Sequence, residues 1–356
     1  MIVLLTPTNS IGGAEAVAIN LCSFLKANAL DTELICCETG GGRTYEENYD
    51  KILLKQTATG SRIFRYLKIY RALKKHLASR ANDDQLTLIC FMSHMNILGC
   101  LLRRQVHTLI LTEHNIEQPT ASRLRGWIFA FLRQRLFGHA DHVVGVSDGV
   151  TKMLEASNLK NAVTIPNHVP PPTMFQRPAD SKSILALGRL DVQKGFDIAL
   201  QAFAVSGLYK NGYVLDIVGE GPEQQNLMQL ATRLGVEASV KFHGARLDVS
   251  KFYLESRLML FTSRWEGFGL TFIEAVLHCV PVVGTACHSG PDKFQEAFRM
   301  KGVTHPQESV EAIAKLLKAE IDAPTSLHDL MHYRESAVEW FGHAQTHEKY
   351  LSLIQE

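Results

Sequence analysis

The stretch Ser263-Arg264-Trp265-Glu266-Gly267-Phe268-Gly269-Leu270-Thr271-Phe272-Ile273-Glu274 sets two carboxylates on either side of a glycine-rich bend. The apolar run Leu258 to Phe261 ahead of it reads as a buried parallel strand, and Leu270 to Leu277 behind it as an amphipathic helix. Glu266 then stands in a loop at the carboxyl end of a strand, where open α/β sheets bind ligands. Glu274 lies about one turn into the helix. The free backbone N–H groups of Gly269, Leu270 and Thr271 make a positive helix end between the two acids, suited to a phosphate. One carboxylate is placed to accept sugar hydroxyls and the other ribose hydroxyls, with a diphosphate between them. An ordinary strand–loop–helix carrying two incidental glutamates would read the same way in isolation.

Further toward the amino end, Ile184-Leu185-Ala186-Leu187-Gly188-Arg189-Leu190-Asp191-Val192-Gln193-Lys194-Gly195 is a second apolar strand followed by a loop with two cations. Arg189 offers a planar fork to phosphate oxygens and Lys194 a point charge. The competing reading pairs Arg189 with Asp191 on a solvated loop. A third strand, Tyr213 to Val218, ends in the tight turn Gly219-Glu220-Gly221-Pro222.

Taken together, Gly-Arg-Leu-x-x-x-Lys-Gly from Gly188, Gly-Glu-Gly-Pro from Gly219 and Glu-Gly-Phe-Gly-Leu-Thr-x-x-Glu-Ala from Glu266 resemble the family 4 retaining glycosyltransferases (glycosyl transferases group 1) of the bacterial surface-polysaccharide type. Weaker matches at Asn9 to Glu15, Thr112-Glu113-His114-Asn115, Val146-Ser147-Asp148 and Ile165-Pro166-Asn167 extend the resemblance over essentially the whole chain. It implies an α/β, GT-B architecture: two Rossmann-like, doubly wound domains facing across a cleft, with a C-terminal helix crossing back to the first. It implies catalytic roles for Arg189, Lys194, Glu266 and His114. It also implies donor contacts from Gly12, Gly13, Gly188, Gly219, Arg246, Gly267, Phe268, Gly269, Leu270, Thr271 and Glu274, with no metal and no cofactor. His114 matches the family position beside the donor sugar's primary hydroxyl, although a lone histidine is ordinarily structural. Ser93, His94 and Asn96, after the strand Leu86 to Phe91, have two readings, cleft-lining residues or ordinary polar residues, and the second is favoured. Gly12-Gly13 lacks the spaced dinucleotide fingerprint, and plain turn chemistry is its alternative. Two departures stand out. Cys279 replaces the usual glycine before Val280-Pro281-Val282-Val283, and Gly290-Pro291-Asp292-Lys293 shifts or loses an acidic residue.

With 356 residues, 46% of them hydrophobic, the chain can bury two cores. Apolar strand starts recur at Ile2, Glu33, Leu86, Thr108, His142 and Val163 with helical patterns between them, the signature of a doubly wound sheet. The stiff connector Pro166 to Pro172 places a boundary near 168, giving an acceptor-side domain 1–168 and a donor domain 169–339. The final helix, from about Glu335 to the end, is expected to return to the first domain through roughly 340–356. No run of roughly 18 apolar residues suggests a membrane span. The short apolar amino terminus reads as a strand rather than a signal peptide. Seven cysteines lack metal or redox spacing, and Cys36, Cys37 and Cys90 read as core filler in a cytoplasmic protein.

The net charge of +1 conceals a basic region between Ser61 and Gly138. Arg62, Arg65, Lys68, Arg71 and Lys75 recur at helical spacing beside Phe64. Arg123, Arg125, Arg133 and Arg135 accompany Trp127, Phe131 and Phe137. Such stretches suit an anionic membrane surface on its cytoplasmic side or a lipid-linked acceptor, or else are solvated helix faces. No nucleic-acid recognition motif accompanies the charge. The expected activity is transfer of a hexose or N-acetylhexosamine from a nucleotide-diphosphate sugar, a UDP-sugar, to a glycan or lipid-linked hydroxyl in lipopolysaccharide, O-antigen or capsule synthesis. The rivals are a nucleotide-sugar epimerase or sugar phosphorylase on the same fold, and a non-catalytic membrane- or partner-binding scaffold.

Overall fold

The computed structural model describes residues 1–10, 12–39, 44–45, 48–54, 62–80, 85–116, 131–175, 180–287, 291–298, 300, 302–304 and 309–356. The chain divides into two compact units, Met1–His168 with His343–Glu356, and Val169–Gly342.

In the first unit β1 (Ile2–Thr8), β2 (Thr32–Glu38), β3 (Lys51–Leu54), β4 (Thr87–Phe91), β5 (Thr108–Glu113), β6 (His142–Gly145) and β7 (Ala162–Thr164) form one parallel sheet in the order β3-β2-β1-β4-β5-β6-β7. The second unit repeats the design. Its strands β8 (Ser183–Leu187), β9 (Val214–Val218), β10 (Val240–Phe242), β11 (Leu258–Phe261), β12 (Val282–Thr285) and β13 (Val303–Thr304) run parallel in the order β10-β9-β8-β11-β12-β13. These strands are continuous apolar runs because both faces of a parallel sheet are covered. Every residue of β4, β5 and β11 is buried. Both units are therefore doubly wound α/β sheets, as the alternation of strand and helix patterns leads one to expect.

Strand order reverses between β1 and β4 in the first unit and between β8 and β11 in the second. At such a reversal neighbouring crossovers leave in opposite directions and open a crevice beyond the carboxyl ends. The loops after β8 and β11 flank that point. They hold the Lys194 segment and the Glu266 segment.

Two features differ from the sequence reading. The edge strand β3 carries too short an apolar run to announce itself. The expected single terminal helix is two, Leu327–Phe341 and His343–Gln355, because Gly342 leaves the helical region at ψ 179°. Periodicity runs through the break because each helix buries its own face. Leu330, Tyr333, Ala337 and Phe341 are buried in the second unit, and Thr346, His347, Tyr350 and Leu353 in the first. The His347 ring lies 4.7 Å from Phe24 and 4.5 Å from His168, tying the last helix to the first unit.

Candidate active site

Two loops of the second unit, 72 residues apart in sequence, are locked together by an ion pair. Lys194 Nζ lies 2.6 Å from Glu266 Oε1, and Ser263 Oγ donates to the same oxygen at 2.6 Å. Glu266 is only 5% exposed, and a cation and a hydroxyl meet the same buried oxygen. Asp191 caps the short helix Val192–Lys194 by accepting from the Lys194 N–H, which orients the lysine. The aliphatic stem of Lys194 then lies over Gly188, where a Cβ would stand 3.2–3.4 Å from Cε, Cδ and Cγ. Gly219, at φ 139°, crosses beneath: a Cβ there would fall 1.9 Å from the Gly188 carbonyl oxygen, which only glycine allows.

Around this pair the loops are stitched by further bonds. Arg264 N–H donates to the Gln193 carbonyl at 2.8 Å, and Gln193 Nε2 donates to the Trp265 carbonyl at 3.1 Å. The Arg264 guanidinium grips Asp197 in a fork of 2.9 and 2.8 Å. Burial opposes ionisation of Asp197, but that fork prevails and holds the carboxyl below its usual range. Thr262 Oγ1 donates to the Gly195 carbonyl at 2.9 Å.

The helix Leu270–Leu277 starts at Gly269 in the left-handed conformation, φ 80°. Its first amides have no acceptor within the helix. Thr271 Oγ1 is buried beside them without a hydrogen-bond partner among the described residues. Glu274 faces a different neighbour from Glu266. The buried Tyr253 hydroxyl donates to its Oε2 at 2.8 Å and stands 3.2 Å from the Thr271 carbonyl. Burial raises the Glu274 carboxyl above the usual range, opposed by the Tyr253 bond and the Lys194 charge. Burial pushes the Tyr253 hydroxyl well up, so it keeps its proton and remains a donor. Its ring stacks on His278 at 4.6 Å. Neither Tyr253 nor Ser263 could be read from sequence, because their partners lie elsewhere in the chain or three positions on in a loop.

The structure thus brings together Lys194, Glu266, Gly188 and Gly219, with Glu274 near enough to feel the Lys194 charge. Others stand apart. The side chain of Arg189 is 71% exposed and bound to Asp191 through Nε and Nη2, each at 2.6 Å, so the competing reading of that residue describes this state. Arg246 is exposed on the loop after β10. Gly267 is buried, and the Phe268 ring turns away to pack edge-on against Phe341 at 5.2 Å. Cys279 takes φ 56°, left-handed, directly after the helix end at His278. That conformation favours glycine at this position, and here a buried cysteine bears the strain. Gly290 lies outside the described residues, as do the side chains of Pro291 and Asp292.

In the first unit, Gly12 precedes the helix Gly13–Ala27, and a Cβ on it would meet Glu15 Oε2 at 2.4 Å. His114 follows β5. Thr112 Oγ1 donates to the Cys90 carbonyl at 2.9 Å and lies 3.0 Å from His114 Nε2. With the hydroxyl proton committed, His114 Nε2 is the donor in that contact and the proton sits on Nε2. Burial lowers the His114 ring to about 4, so it is neutral at pH 7. Asn96 Nδ2 donates to the Thr112 carbonyl at 3.0 Å, Ser93 Oγ donates to Glu113, and His94 stacks on Tyr66. Met92, which joins β4 to the helix Ser93–Leu101, is held at φ 74°.

The basic stretches resolve unevenly. Arg65 is half-buried and lies 3.3 Å from Glu38, and Arg133 is buried with Nη2 donating to Ser157 Oγ at 2.9 Å. Phe137 is fully buried as well. Arg123, Arg125 and Trp127 lie outside the described residues, as does the side chain of Arg62. Cys36, Cys37 and Cys90 are buried in strands, as expected of core filler.

Residues 149–336 match the family model described as glycosyl transferases group 1, and residues 11–171 match that of glycosyltransferase family 4. An uncharacterized glycosyltransferase of Haemophilus influenzae is 29% identical over 320 residues, 88% of each chain. A lipopolysaccharide core biosynthesis glycosyltransferase of Rhizobium meliloti is 30% identical over 180 residues, covering 50% of this chain and 51% of that one. The crystal structure of Anabaena HepE in complex with UDP-glucose superposes with a TM-score of 0.81 at 18% identity over 99% of both chains, a likeness of fold. Both sheets thus match the Rossmann-like halves of the GT-B architecture.

Proposed function

The chain belongs to the glycosyl transferases of group 1, and on that premise we propose that it is a retaining enzyme moving a hexose or N-acetylhexosamine from a UDP-sugar to a glycan or lipid-linked hydroxyl in bacterial surface-polysaccharide synthesis. One observation carries the reading: a buried lysine–glutamate pair, Lys194 with Glu266, fixed at the strand-order reversal of the second sheet beside a helix amino end. Such a pair does little for stability compared with apolar packing, so its presence argues for a ligand of matching charge.

In the proposed reaction the acceptor oxygen bonds to the anomeric carbon while the bond from that carbon to the diphosphate breaks. Attack comes on the same face through an oxocarbenium-like state, and the departing phosphate oxygen takes the acceptor proton. Lys194, Arg189 and the helix end at Leu270-Thr271 stabilise the charge that develops on the diphosphate. For Arg189 this means exchanging Asp191 for phosphate. Glu266 holds donor-sugar hydroxyls, Glu274 the ribose, and neutral His114, its Nε2 proton committed to Thr112, accepts from a sugar hydroxyl through Nδ1. The hydrolytic carboxylate pair is not part of this chemistry.

Uridine and the lipopolysaccharide setting draw on what the Anabaena and Rhizobium proteins are named for. Cationic side chains serve the diphosphate, so the proposal includes turnover without metal. No helix among the described residues is long and apolar enough to cross a membrane. Peripheral association on the cytoplasmic face, where nucleotide sugars are found, completes the proposal. A thermal-shift screen of nucleotide sugars with EDTA present tests it: a ligand at about 100 times its Kd stabilises by about 2.7 kcal/mol. A shift by a UDP-sugar in EDTA supports the reading. A manganese or magnesium requirement contradicts the metal-free mechanism, and donor consumption without acceptor would favour an epimerase or a phosphorylase.

A further inference from the structure

We propose that Ser263 is a positioning residue for the donor sugar: it keeps the Glu266 carboxylate in place when Lys194 turns to the diphosphate. The inference deepens the reading above and rests on it. Ser263 Oγ and Lys194 Nζ share one acceptor, Glu266 Oε1, each at 2.6 Å. Glu266 Oε2 meets no partner among the described residues. Both protein donors thus crowd one oxygen of the carboxylate, and the other is the one left to a sugar hydroxyl.

The two donors differ in what else draws them. Lys194 carries a point charge on a flexible four-carbon stem, suited to following phosphate oxygens. In the proposed reaction it meets the charge that develops on the diphosphate. An ammonium drawn to those oxygens shares or gives up its bond to Glu266. A serine hydroxyl has no net charge and stands one rotatable bond from the backbone, so phosphate does not pull it away. Without it, the buried acid would lose its last protein donor just as the sugar needs it, and an unanswered buried acid is costly. With it, Oε1 stays fixed and Oε2 stays aimed.

The backbone beneath Ser263 is tied to its neighbours on both sides. Ser263 stands two residues beyond β11, and its carbonyl accepts from Thr285 Oγ1 at 2.8 Å, at the end of β12. Before it, Thr262 Oγ1 donates to the Gly195 carbonyl at 2.9 Å. After it, the Arg264 N–H donates to the Gln193 carbonyl at 2.8 Å, also in the loop beyond β8. Thr262, Ser263 and Thr285 are all buried. A hydroxyl mounted on a backbone held this way needs no further ordering when the sugar arrives, so its grip on Glu266 is preorganised.

The test is calorimetric titration of the full-length wild type, Ser263→Ala and Thr285→Val with UDP, UDP-glucose, UDP-galactose and UDP-N-acetylglucosamine. UDP brings the nucleotide and the diphosphate but no hexose hydroxyl. Ser263→Ala should weaken the sugar nucleotide that the wild type binds by about tenfold, the scale of one hydrogen bond to a charged group, and UDP by less than about twofold. Thr285→Val leaves the Ser263 hydroxyl in place and removes only the bond to its carbonyl. It should show the same selective loss at about threefold, and it decides the matter if Ser263→Ala does not melt cooperatively. Equal losses for UDP and the sugar nucleotide would make Ser263 a brace of the whole loop and overturn the proposal. Wild-type affinities throughout would overturn it too, as would a wild type that binds UDP but no sugar nucleotide. Those results leave the nucleotide site standing. A wild type that binds none of the four removes the transferase reading and this proposal with it.

Discussion

The loops beyond β8 and β11 in the second unit are joined by a cation and a carboxylate. In the first unit, two acids near the ends of β1 and β5 each accept from a hydroxyl. Glu266 faces Lys194, whereas Glu113 accepts from Ser93 and Glu15 from Thr8 at 3.4 Å. His114, directly after β5, is held neutral. The two edges occupy equivalent places in equivalent folds, so topology does not explain the contrast. On the proposed reaction, ligand chemistry would: a departing diphosphate gathers charge, and an incoming sugar hydroxyl does not. A low-dielectric site keeps charged groups only where something answers them.

The largest stability difference between the edges should come from glycine. Gly219→Ala drives a Cβ to 1.9 Å from the Gly188 backbone at φ 139° and should destabilise the second unit by about 3 kcal/mol or more, from strain plus overpacking. Gly12→Ala meets only the tip of the Glu15 side chain in an extended conformation, so the change should stay within about 1 kcal/mol. Denaturant unfolding of both variants checks this, and equal losses would erase the contrast in how the two edges are built.

A smaller effect concerns the second carboxylate. Tyr253→Phe should raise KM for the nucleotide sugar about tenfold with kcat near wild type, since it removes one charge-assisted hydrogen bond that aims Glu274. A donor lacking ribose hydroxyls should show no such rise. If both donors lose affinity alike, Tyr253 supports the fold and does not position Glu274.

A third effect lies in the first unit and depends on pH. His114 titrates near 4 when folded and near 6.5 when unfolded, so the unfolded chain binds more protons between those values. The neutral ring's contribution is complete above 6.5 and is lost as pH falls toward 4. His114→Gln should flatten stability over that window, and NMR titration should place the ring below 5, as a rough bound. A ring titrating near 6.5 would contradict the burial that holds His114 neutral in the first unit.

The sequence made the frame of this comparison legible because buried parallel strands are unbroken apolar runs and glycine marks the close approaches. Leu258–Phe261 and Leu270–Leu277 fall where periodicity puts them. What it concealed is direction. Arg65, Arg133 and Arg189 count as cations in a row of letters, yet each is turned to a partner in the fold. Phe268 sits inside the most telling motif but spends its ring on Phe341. Tyr253 reaches Glu274 across 21 residues, a contact that no local pattern encodes. Gly342 breaks a helix without breaking its periodicity.

Lys194→Ala, compared with wild type under one identified donor, tests the central claim most directly. If Lys194 answers charge that develops as the diphosphate departs, kcat should fall by about 100-fold or more while the donor's Kd changes far less. The variant must still melt cooperatively, since it leaves Glu266 buried with Ser263 alone. Wild-type kcat in a folded Lys194→Ala protein, or a loss confined to donor binding, would contradict the account.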